Sequence, residues 1–291
     1  MNQNDECLIC GAPLVYLDQA EEMECSICYE LHPSKTRCVN GHYICDCCHT
    51  AGISNIVEIC LRMADGHGTD GHGTDDHGTD GQRTDSQRTD RHGTDDHGTD
   101  SRIVSNPAEI LEHLMDQPFC HMHGPEHHTM VGAALLTAYH NAGGRIGGRC
   151  SGTEDEGNCP GMSMEDALQE MMRRGGEVPG GACGFWGACG AGISTGMFVS
   201  IVTGATPLMQ ESWGLSNQMT ARALERIGAA GGPRCCKRDS YLALEAAVEF
   251  AREKLGVEMI WTRPVCSRSS QNNQCIGRHC PFHKLNAGER E

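Results

Sequence analysis

The sequence predicts a mainly α-helical protein with a small cysteine-rich module at its amino terminus. Nine of the nineteen cysteines lie in the first sixty residues. After residue 104, capped helical segments follow one another with almost no alternating β pattern. A length of 291 residues suggests about two domains. We therefore expect a metal-binding module over residues 1–62, a linker over residues 63–104 and a helical domain with cysteine-rich loops over residues 105–291.

Pairs of cysteine and histidine residues determine the chemistry of the amino-terminal segment. A two-residue gap lets both thiolates of a tight turn reach one ion, and four pairs complete two closed tetrahedral sites. We therefore expect two zinc ions here, with an iron–sulfur cluster on some of these thiolates as the alternative. The four pairs are Cys7 with Cys10, Cys25 with Cys28, Cys38 with His42, and Cys45 with Cys48.

The four pairs can be joined in two ways. Sequential wiring, as in a ribbon-like module, joins the first pair with the second and the third with the fourth. Cross-braced wiring joins the first with the third and the second with the fourth. The run from Cys25 to Cys48 resembles the first six ligands of RING fingers, which are cross-braced, and this favours the second wiring. Cys47 and His49 are left over, and either could substitute as a ligand.

A pentapeptide repeat, beginning DGHGT-DGHGT-DDHGT, follows the module. Its ten Asp and three Arg between Asp65 and Asp100 contribute −7 to the net charge of −16. Gly, Thr, Asp and His at this density cannot bury enough surface to offset chain entropy. The period is also too short for a packed solenoid. We expect a disordered linker. Its five histidines could bind metal weakly, but a linker without a binding role is the favoured interpretation.

Composition excludes several classes of function. The rest of the chain carries −9 without a stripe of Lys and Arg, which argues against general nucleic-acid binding. The start lacks a basic region followed by an apolar run, so no secretory signal is expected. The most apolar stretch, residues 192–209, is broken by Gly, Ser, Thr and Pro and is a poor membrane span. Cys-x2-Cys pairs then indicate metal binding or redox chemistry in a reduced cytoplasmic compartment.

Capping signals predict the helices of the second domain. Asn106, Pro107 and Glu109 form an N-cap, a first-turn proline and a first-turn acid, and Ser163 precedes another amphipathic run. Glycines end several of the segments. We expect helices over residues 107–117, 130–142, 164–174, 192–204, 217–229 and 239–255.

The segment HMHGPEHH, residues 121–128, is the first candidate site of the helical domain. It places four histidines and a carboxylate just before a helix, around a rigid Gly-Pro turn. Histidines in this density can ligate a metal or exchange protons near neutral pH. We predict that His123, His127 or His128 acts as an acid–base group or ligand. Simple helix capping at the protein surface is the alternative.

The second candidate is the loop GGACGFWGACGAG, residues 180–192. Glycines let the backbone approach a ligand, and the start of the following helix offers free N–H donors to an anion. Cys183 and Cys189 in this loop predict a cluster or thiolate site in which the helix dipole lowers the thiol pKa. The alternative is close helix packing through small residues.

The third candidate is the set of cysteines near the carboxyl end. Cys235 and Cys236 are adjacent and cannot easily bind one ion together, so we predict Cys235 as a metal ligand and Cys236 as a nucleophile. The flanking cations favour thiolate and can bind an anionic substrate group. These cations are Arg234, Lys237 and Arg238. The further predicted metal ligands are Cys266, Cys275 and Cys280.

The motifs CVNGHYICDCCH, HMHGPEHH, CGFWGACGAG, TGATPL, GGPRCCKR and CIGRHCPF resemble a cysteine-rich family of unknown function from anaerobic bacteria and archaea. Members are often encoded beside radical-SAM proteins or SAM-dependent methyltransferases. The resemblance covers nearly the whole chain except the repeat, and it implies an anaerobic setting. The leading hypothesis is an iron–sulfur or thiolate-dependent enzyme with a structural zinc module. The alternative is a non-catalytic accessory protein that docks on, or delivers sulfur or metal to, a radical-SAM or methyltransferase partner.

Overall fold

A computed structural model describes residues 7, 9–10, 12–49, 55–65, 104–147 and 161–286. These residues form one hairpin and a set of helices, which confirms the mainly α-helical class. The pentapeptide repeat lies outside the described residues, apart from Asp65, where a helix ends. The elements are β1 (Leu14–Glu24), β2 (Leu31–Cys38), α1 (Asp46–His49), α2 (Asn55–Asp65), α3 (Pro107–Met115), α4 (His127–Asn141), α5 (Met164–Gly176), α6 (Ala182–Phe185), α7 (Gly190–Thr203), α8 (Gln210–Ala230) and α9 (Cys236–Phe250).

The hairpin of β1 and β2 is antiparallel. Its register runs from Leu14 opposite Cys38 to Glu24 opposite Leu31, with an irregularity between Tyr16 and Glu21. Met23 is the single buried side chain of β1, so the ladder is held by its backbone hydrogen bonds and not by an apolar face. The hairpin thus separates two groups of cysteines, one at each end.

Helix α4 is the centre of the helical domain. It contacts α2, α3, α5, α7 and α9, and its residues from His127 to Tyr139 are all buried. A helix that is apolar on every side belongs in a core. Helix α2 lies in the segment that precedes the repeat, yet Ile56 and Cys60 are fully buried within this helical core.

Most helix predictions are confirmed by their caps. Asn106 Oδ1 accepts the Ala108 N–H at 3.0 Å, and Ser163 Oγ accepts the Asp166 N–H at 3.0 Å. Gly204 ends α7 with a φ of 62°. Four helices begin earlier than expected, α4 at His127, α7 at Gly190, α8 at Gln210 and α9 at Cys236. For α9 the reason is that the Cys235 sulfur accepts the Arg238 N–H at 3.5 Å and so caps the helix.

The carboxy-terminal segment returns to the start of α9. The helix continues as a π-helical turn, Ala251–Leu255, which Gly256 ends with a φ of 70°. Short 3-10 turns follow, and a β-bridge pairs Cys266 with His283. This path brings the late cysteines towards Cys235. Among the described helices, none has the length and apolar character needed to cross a bilayer.

Candidate metal centres and adjoining cavities

The first centre joins the first and third ligand pairs. The ligand atoms of Cys7, Cys10, Cys38 and His42 all lie within 4.8 Å of one another. The Cys10 and Cys38 sulfurs are 3.5 Å apart, and the Cys7 sulfur is 3.6 Å from His42 Nδ1. A zinc ion that binds thiolates at about 2.3 Å in a tetrahedron separates them by roughly 3.8 Å. The spacing therefore fits a single tetrahedral ion.

The second centre joins the second and fourth pairs. The ligand atoms of Cys25, Cys28, Cys45 and Cys48 also lie within 4.8 Å of one another, with 3.8 Å between the Cys28 and Cys45 sulfurs. The Cys45 N–H donates to the Cys25 sulfur at 3.3 Å. Although burial opposes it, hydrogen bonds from the Cys28 and Cys45 backbones lower the pKa of Cys25 to about 6. The thiolate form that a metal requires is thus favoured.

These two groups have the cross-braced arrangement, and the hairpin explains why. The first pair precedes β1, and the third pair begins at Cys38, the last residue of β2, so both lie at the open end of the hairpin. The second pair lies in the connecting turn, to which the chain returns because the Ser26 N–H donates to the Tyr43 carbonyl at 2.8 Å. The strands hold the two centres apart, so sequential wiring does not occur.

The module contacts the Gly-Cys loop of the helical domain. Asp46 Oδ2 in α1 accepts the Gly180 N–H at 2.8 Å. The Lys35 ammonium lies 4.7 Å from the centroid of the Phe185 ring. Arg234 donates to the Tyr16 hydroxyl at 2.5 Å. The module therefore closes over one side of the loop that the sequence singles out.

The predicted acid–base histidines point to three different places. His127 Nδ1 lies 3.0 Å from the Gly124 carbonyl, and its Nε2 lies 3.0 Å from the Lys237 ammonium. His128 Nδ1 lies 3.0 Å from the Val178 carbonyl. His123 Nε2 is 3.3 Å from Asn272 Oδ1. Burial lowers the pKa of His127 and of His128, so both rings are neutral near pH 7.

Glu126 is the carboxylate of this motif, and it is fully buried at the start of α4. Its Oε1 accepts the His121 N–H at 2.8 Å. Burial alone would raise the pKa of Glu126, but the close approach of the His121 side chain and of the His127 and His49 rings lowers it to about 2. Glu126 also lies within ligand distance of two groups, one with Cys120 and His127 and one with His49 and His121.

Four of the predicted cluster ligands line one small cavity. Cys235 at the start of α9 meets Cys266, Cys275 and Cys280 of the carboxy-terminal segment there. Asn272 Nδ2 donates to the Cys235 sulfur at 3.5 Å, and the Gly277 N–H donates to the Cys275 sulfur at 3.4 Å. Burial raises the pKa of Cys235, Cys266 and Cys280. These thiols therefore need a bound cation to ionise near neutral pH.

The other two predicted ligands, Cys183 and Cys189, line a second and larger cavity of about 630 Å³. Arg238 lines both cavities, so the two are neighbours. Burial raises the pKa of Cys189 to about 12 and that of Cys236 well above its ordinary value. The helix start and the flanking cations were expected to lower these pKa values. Desolvation outweighs both effects and raises them instead.

The three predicted substrate-binding cations do not act together. Arg234 and Arg238 line the larger cavity. Arg238 also donates to the Gly231 and Pro233 carbonyls at 2.8 and 3.0 Å, and it pairs with Asp239. Lys237 points to the opposite side of α9, where its ammonium group contacts His127. Two of the three predicted cations, Arg234 and Arg238, thus lie at this cavity, and Lys237 does not.

The fold and its centres define a helical protein whose cysteine and histidine clusters can hold metal ions. Residues 99–151 and 155–283 match a family of unknown function, DUF5714, and the chain belongs to this family. The match includes the histidine motif, the Gly-Cys loop and the four-cysteine cavity, and it begins after the amino-terminal module. The comparison with curated proteins gave no match. The comparison with solved structures gave none either.

No signal in the sequence marked Cys120, and His121 and Glu126 were included in the histidine motif without being singled out, while His49 was a possible substitute ligand. His121 and Glu126 flank the Gly-Pro turn and point inwards from it. Cys120 is buried against Lys237, 2.9 Å from its ammonium group. His49 was left over after the ligand pairs were assigned. The five-residue spacing from His121 to Glu126 around a turn was the available signal.

Proposed function

We propose that this protein is an iron–sulfur enzyme whose amino-terminal module holds two structural zinc ions. The observation that supports it best is the convergence of Cys235, Cys266, Cys275 and Cys280 on one cavity. These cysteines are up to 45 residues apart in the sequence, since 280 − 235 = 45. Four cysteine thiolates are the usual ligand set of a four-iron cluster.

The spacing of these four sulfurs argues against a single ion as their shared ligand. The two amino-terminal tetrads have all their ligand atoms within 4.8 Å, whereas among the described residues the four-cysteine set is not such a group. A single zinc ion draws its ligands to within roughly 3.8 Å of one another. A four-iron cluster spreads its thiolates further, because each thiolate binds a different iron.

The two amino-terminal centres favour zinc in a structural role. Each offers four protein ligands to one ion and leaves no position for a substrate. The cavity beside the cluster site is the better place for chemistry. It is large enough for a small metabolite, and it offers the Arg234 guanidinium, the Asp239 carboxylate and the Gln274 amide. We infer a small substrate with an anionic group.

Anaerobic purification of the full chain tests this function. We expect a brown protein with about four iron and four sulfide per chain, together with zinc in both amino-terminal tetrads. A Cys266→Ser variant should lose most of the visible absorption and iron but keep its zinc. A Cys47→Ser variant is the matched control and should keep both metals. A colourless wild-type protein that contains zinc alone would overturn the proposal.

A second candidate function is a non-catalytic accessory that delivers sulfur or metal to a radical-SAM or methyltransferase partner. The observation that favours it is the exposed apolar surface of the module, where Ile27, Tyr29 and Leu31 are 53%, 73% and 65% exposed. Exposed apolar patches are common at protein–protein interfaces. Incubation of the cluster-loaded protein with an apo-ferredoxin distinguishes the two functions. An accessory should transfer its cluster to the acceptor, whereas an enzyme should retain it.

A further inference from the structure

Three side chains converge where the module meets the helical domain. His49 is the last residue of α1, His121 lies before the Gly-Pro turn, and Glu126 is the N-cap residue of α4. Their ligand atoms lie within 4.8 Å of one another. His49 Nδ1, His121 Nδ1 and Glu126 Oε2 are buried, and none has a hydrogen-bond partner. Buried polar atoms without partners are rare, because each costs about 1–3 kcal/mol.

The distances between these atoms do not fit direct hydrogen bonds. His49 Nδ1 is 3.6 Å from Glu126 Oε2, and His121 Nδ1 is 3.5 Å from Glu126 Oε1. An N–H···O bond is about 2.7–3.2 Å long. Two ligands of one ion, each bound at about 2.1 Å in a tetrahedron, lie roughly 3.4 Å apart. The separations thus fit atoms that share an ion better than atoms that share a proton.

From this geometry we propose that His49, His121 and Glu126 form a third metal site, distinct from the two tetrads and from the four-cysteine cavity. Two imidazoles and a carboxylate are a donor set for a divalent transition-metal ion such as Fe²⁺ or Zn²⁺. Because the protein supplies three ligands, a fourth position is left for water or a substrate. The proposal does not depend on the presence of an iron–sulfur cluster.

The neighbouring Cys120 and His127 group provides an internal comparison. It too lies within ligand distance of Glu126, but its partner is the Lys237 ammonium, 2.9 Å from the Cys120 sulfur and 3.0 Å from His127 Nε2. A cation of the protein thus satisfies that group. No protein cation contacts the unpartnered Glu126 Oε2 among the hydrogen bonds of the described residues. A bound ion would supply this missing charge.

The surroundings hold the carboxylate in place. The His121 N–H fixes Oε1 at 2.8 Å, which leaves Oε2 to face His49. A Cβ at Gly124 would lie 2.1 Å from Oε2, so any other residue here would displace the carboxylate. His49 follows Cys48 of the second zinc centre directly. The site is therefore complete when the module is folded and docked, and an ion bound there would join the two parts of the chain.

Cadmium NMR on the full-length protein tests the site. Wild-type protein loaded with cadmium and passed through a desalting column should give signals from thiolate-bound ions and one further signal from an ion bound by nitrogen and oxygen. His121→Ala and Glu126→Gln should each lose that signal and keep the thiolate signals, which also show that the module remains folded. His113→Ala, an exposed histidine of α3, is the control and should keep every signal.

The outcomes of this test separate the site from the proposed function. Absence of a nitrogen–oxygen signal in wild-type protein overturns the third site, whatever the iron content is. A signal that persists in both variants also overturns it and assigns the ion elsewhere, for example to the histidines of the repeat. Loss of the signal in both variants supports it, even if no iron–sulfur cluster forms.

Discussion

The Lys237 ammonium group lies 3.0 Å from Nε2 of His127, and both side chains are almost completely buried. The same ammonium donates to the Cys120 sulfur at 2.9 Å and to the His121 carbonyl at 2.7 Å. Because lysine has donors alone, His127 Nε2 accepts, and the other ring nitrogen donates to the Gly124 carbonyl. His127 is therefore held as one neutral tautomer with both nitrogens in use.

Replacing Lys237 by methionine should destabilise the protein by about 2–4 kcal/mol, because it leaves several buried polar groups without their partner. Methionine keeps most of the side-chain volume, so the loss reports the ammonium group and not a cavity. Urea unfolding followed by circular dichroism measures it. Lys254→Met, at an exposed position, should change the free energy of unfolding by less than about 0.5 kcal/mol. Equal effects would contradict the role given to Lys237.

The contacts of Lys237 could not be predicted from the sequence. The local motif, Cys-Cys-Lys-Arg, suggests an anion site because its two cations are adjacent in the sequence. Helix α9 instead places Lys237 on the same face as Tyr241, Leu244 and Val248, all of which are buried. The 3.6-residue period contained this information. The partners of Lys237 come from residues 120–127, which sequence spacing alone cannot bring to it.

Replacing Cys25 by serine should cost the module one of its zinc ions and make it sensitive to proteolysis. Cys25 is fully buried and belongs to the second tetrad, and a structural zinc site contributes directly to folding. Cys47→Ser is the matched control, because Cys47 is exposed and belongs to neither tetrad. Metal analysis and limited trypsin digestion provide the measurements. A Cys25→Ser protein with the same zinc content as wild-type protein and unchanged digestion would argue against the second tetrad.

The module was partly predictable. Pair spacing identified all eight residues of the two tetrads, because a two- or three-residue gap is a local property of the chain. The hairpin that sets their wiring gave no strand signal, since β1 buries Met23 alone and so lacks an apolar alternation. In the helical domain, caps such as Ser163 located the helices well. The four-cysteine cavity joins residues 235 to 280, and that convergence depends on the tertiary fold.

Replacing Gly190 by alanine should destabilise the protein by about 1–3 kcal/mol. A Cβ at this position would lie 2.0 Å from His128 Cδ2, and the His128 ring is fixed by its contact with the Val178 carbonyl. Gly214→Ala should act in the opposite direction, because Gly214 lies inside α8 with open space around its Cα. Alanine is the better helix former by about 1 kcal/mol. Thermal unfolding should thus show shifts of opposite sign, and a shared sign would contradict the close packing at Gly190.

Replacing Arg268 by methionine should make the proposed cluster more labile. Arg268 lies two residues after Cys266, lines the same cavity and is 7% exposed. It donates to Glu112 Oε2 at 2.6 Å and also to Asp116, and so ties the cysteine segment to α3. Hydrogen bonds to charged groups contribute about 1.5–3 kcal/mol, and each 1.4 kcal/mol corresponds to a factor of about ten.

We therefore expect iron release to an excess of chelator to be about tenfold faster in Arg268→Met than in wild-type protein. This factor applies when the hydrogen bonds of Arg268 stabilise the cluster-bound state but not the transition state for release. Anaerobic loss of visible absorption measures the rate. Arg278→Met is the matched control, because Arg278 lies in the same segment but is exposed. Equal rates in the three proteins would mean that the contact with α3 does not hold the cysteine segment around the cluster. Slow release in the control and fast release in Arg268→Met would link α3 to the metal centre.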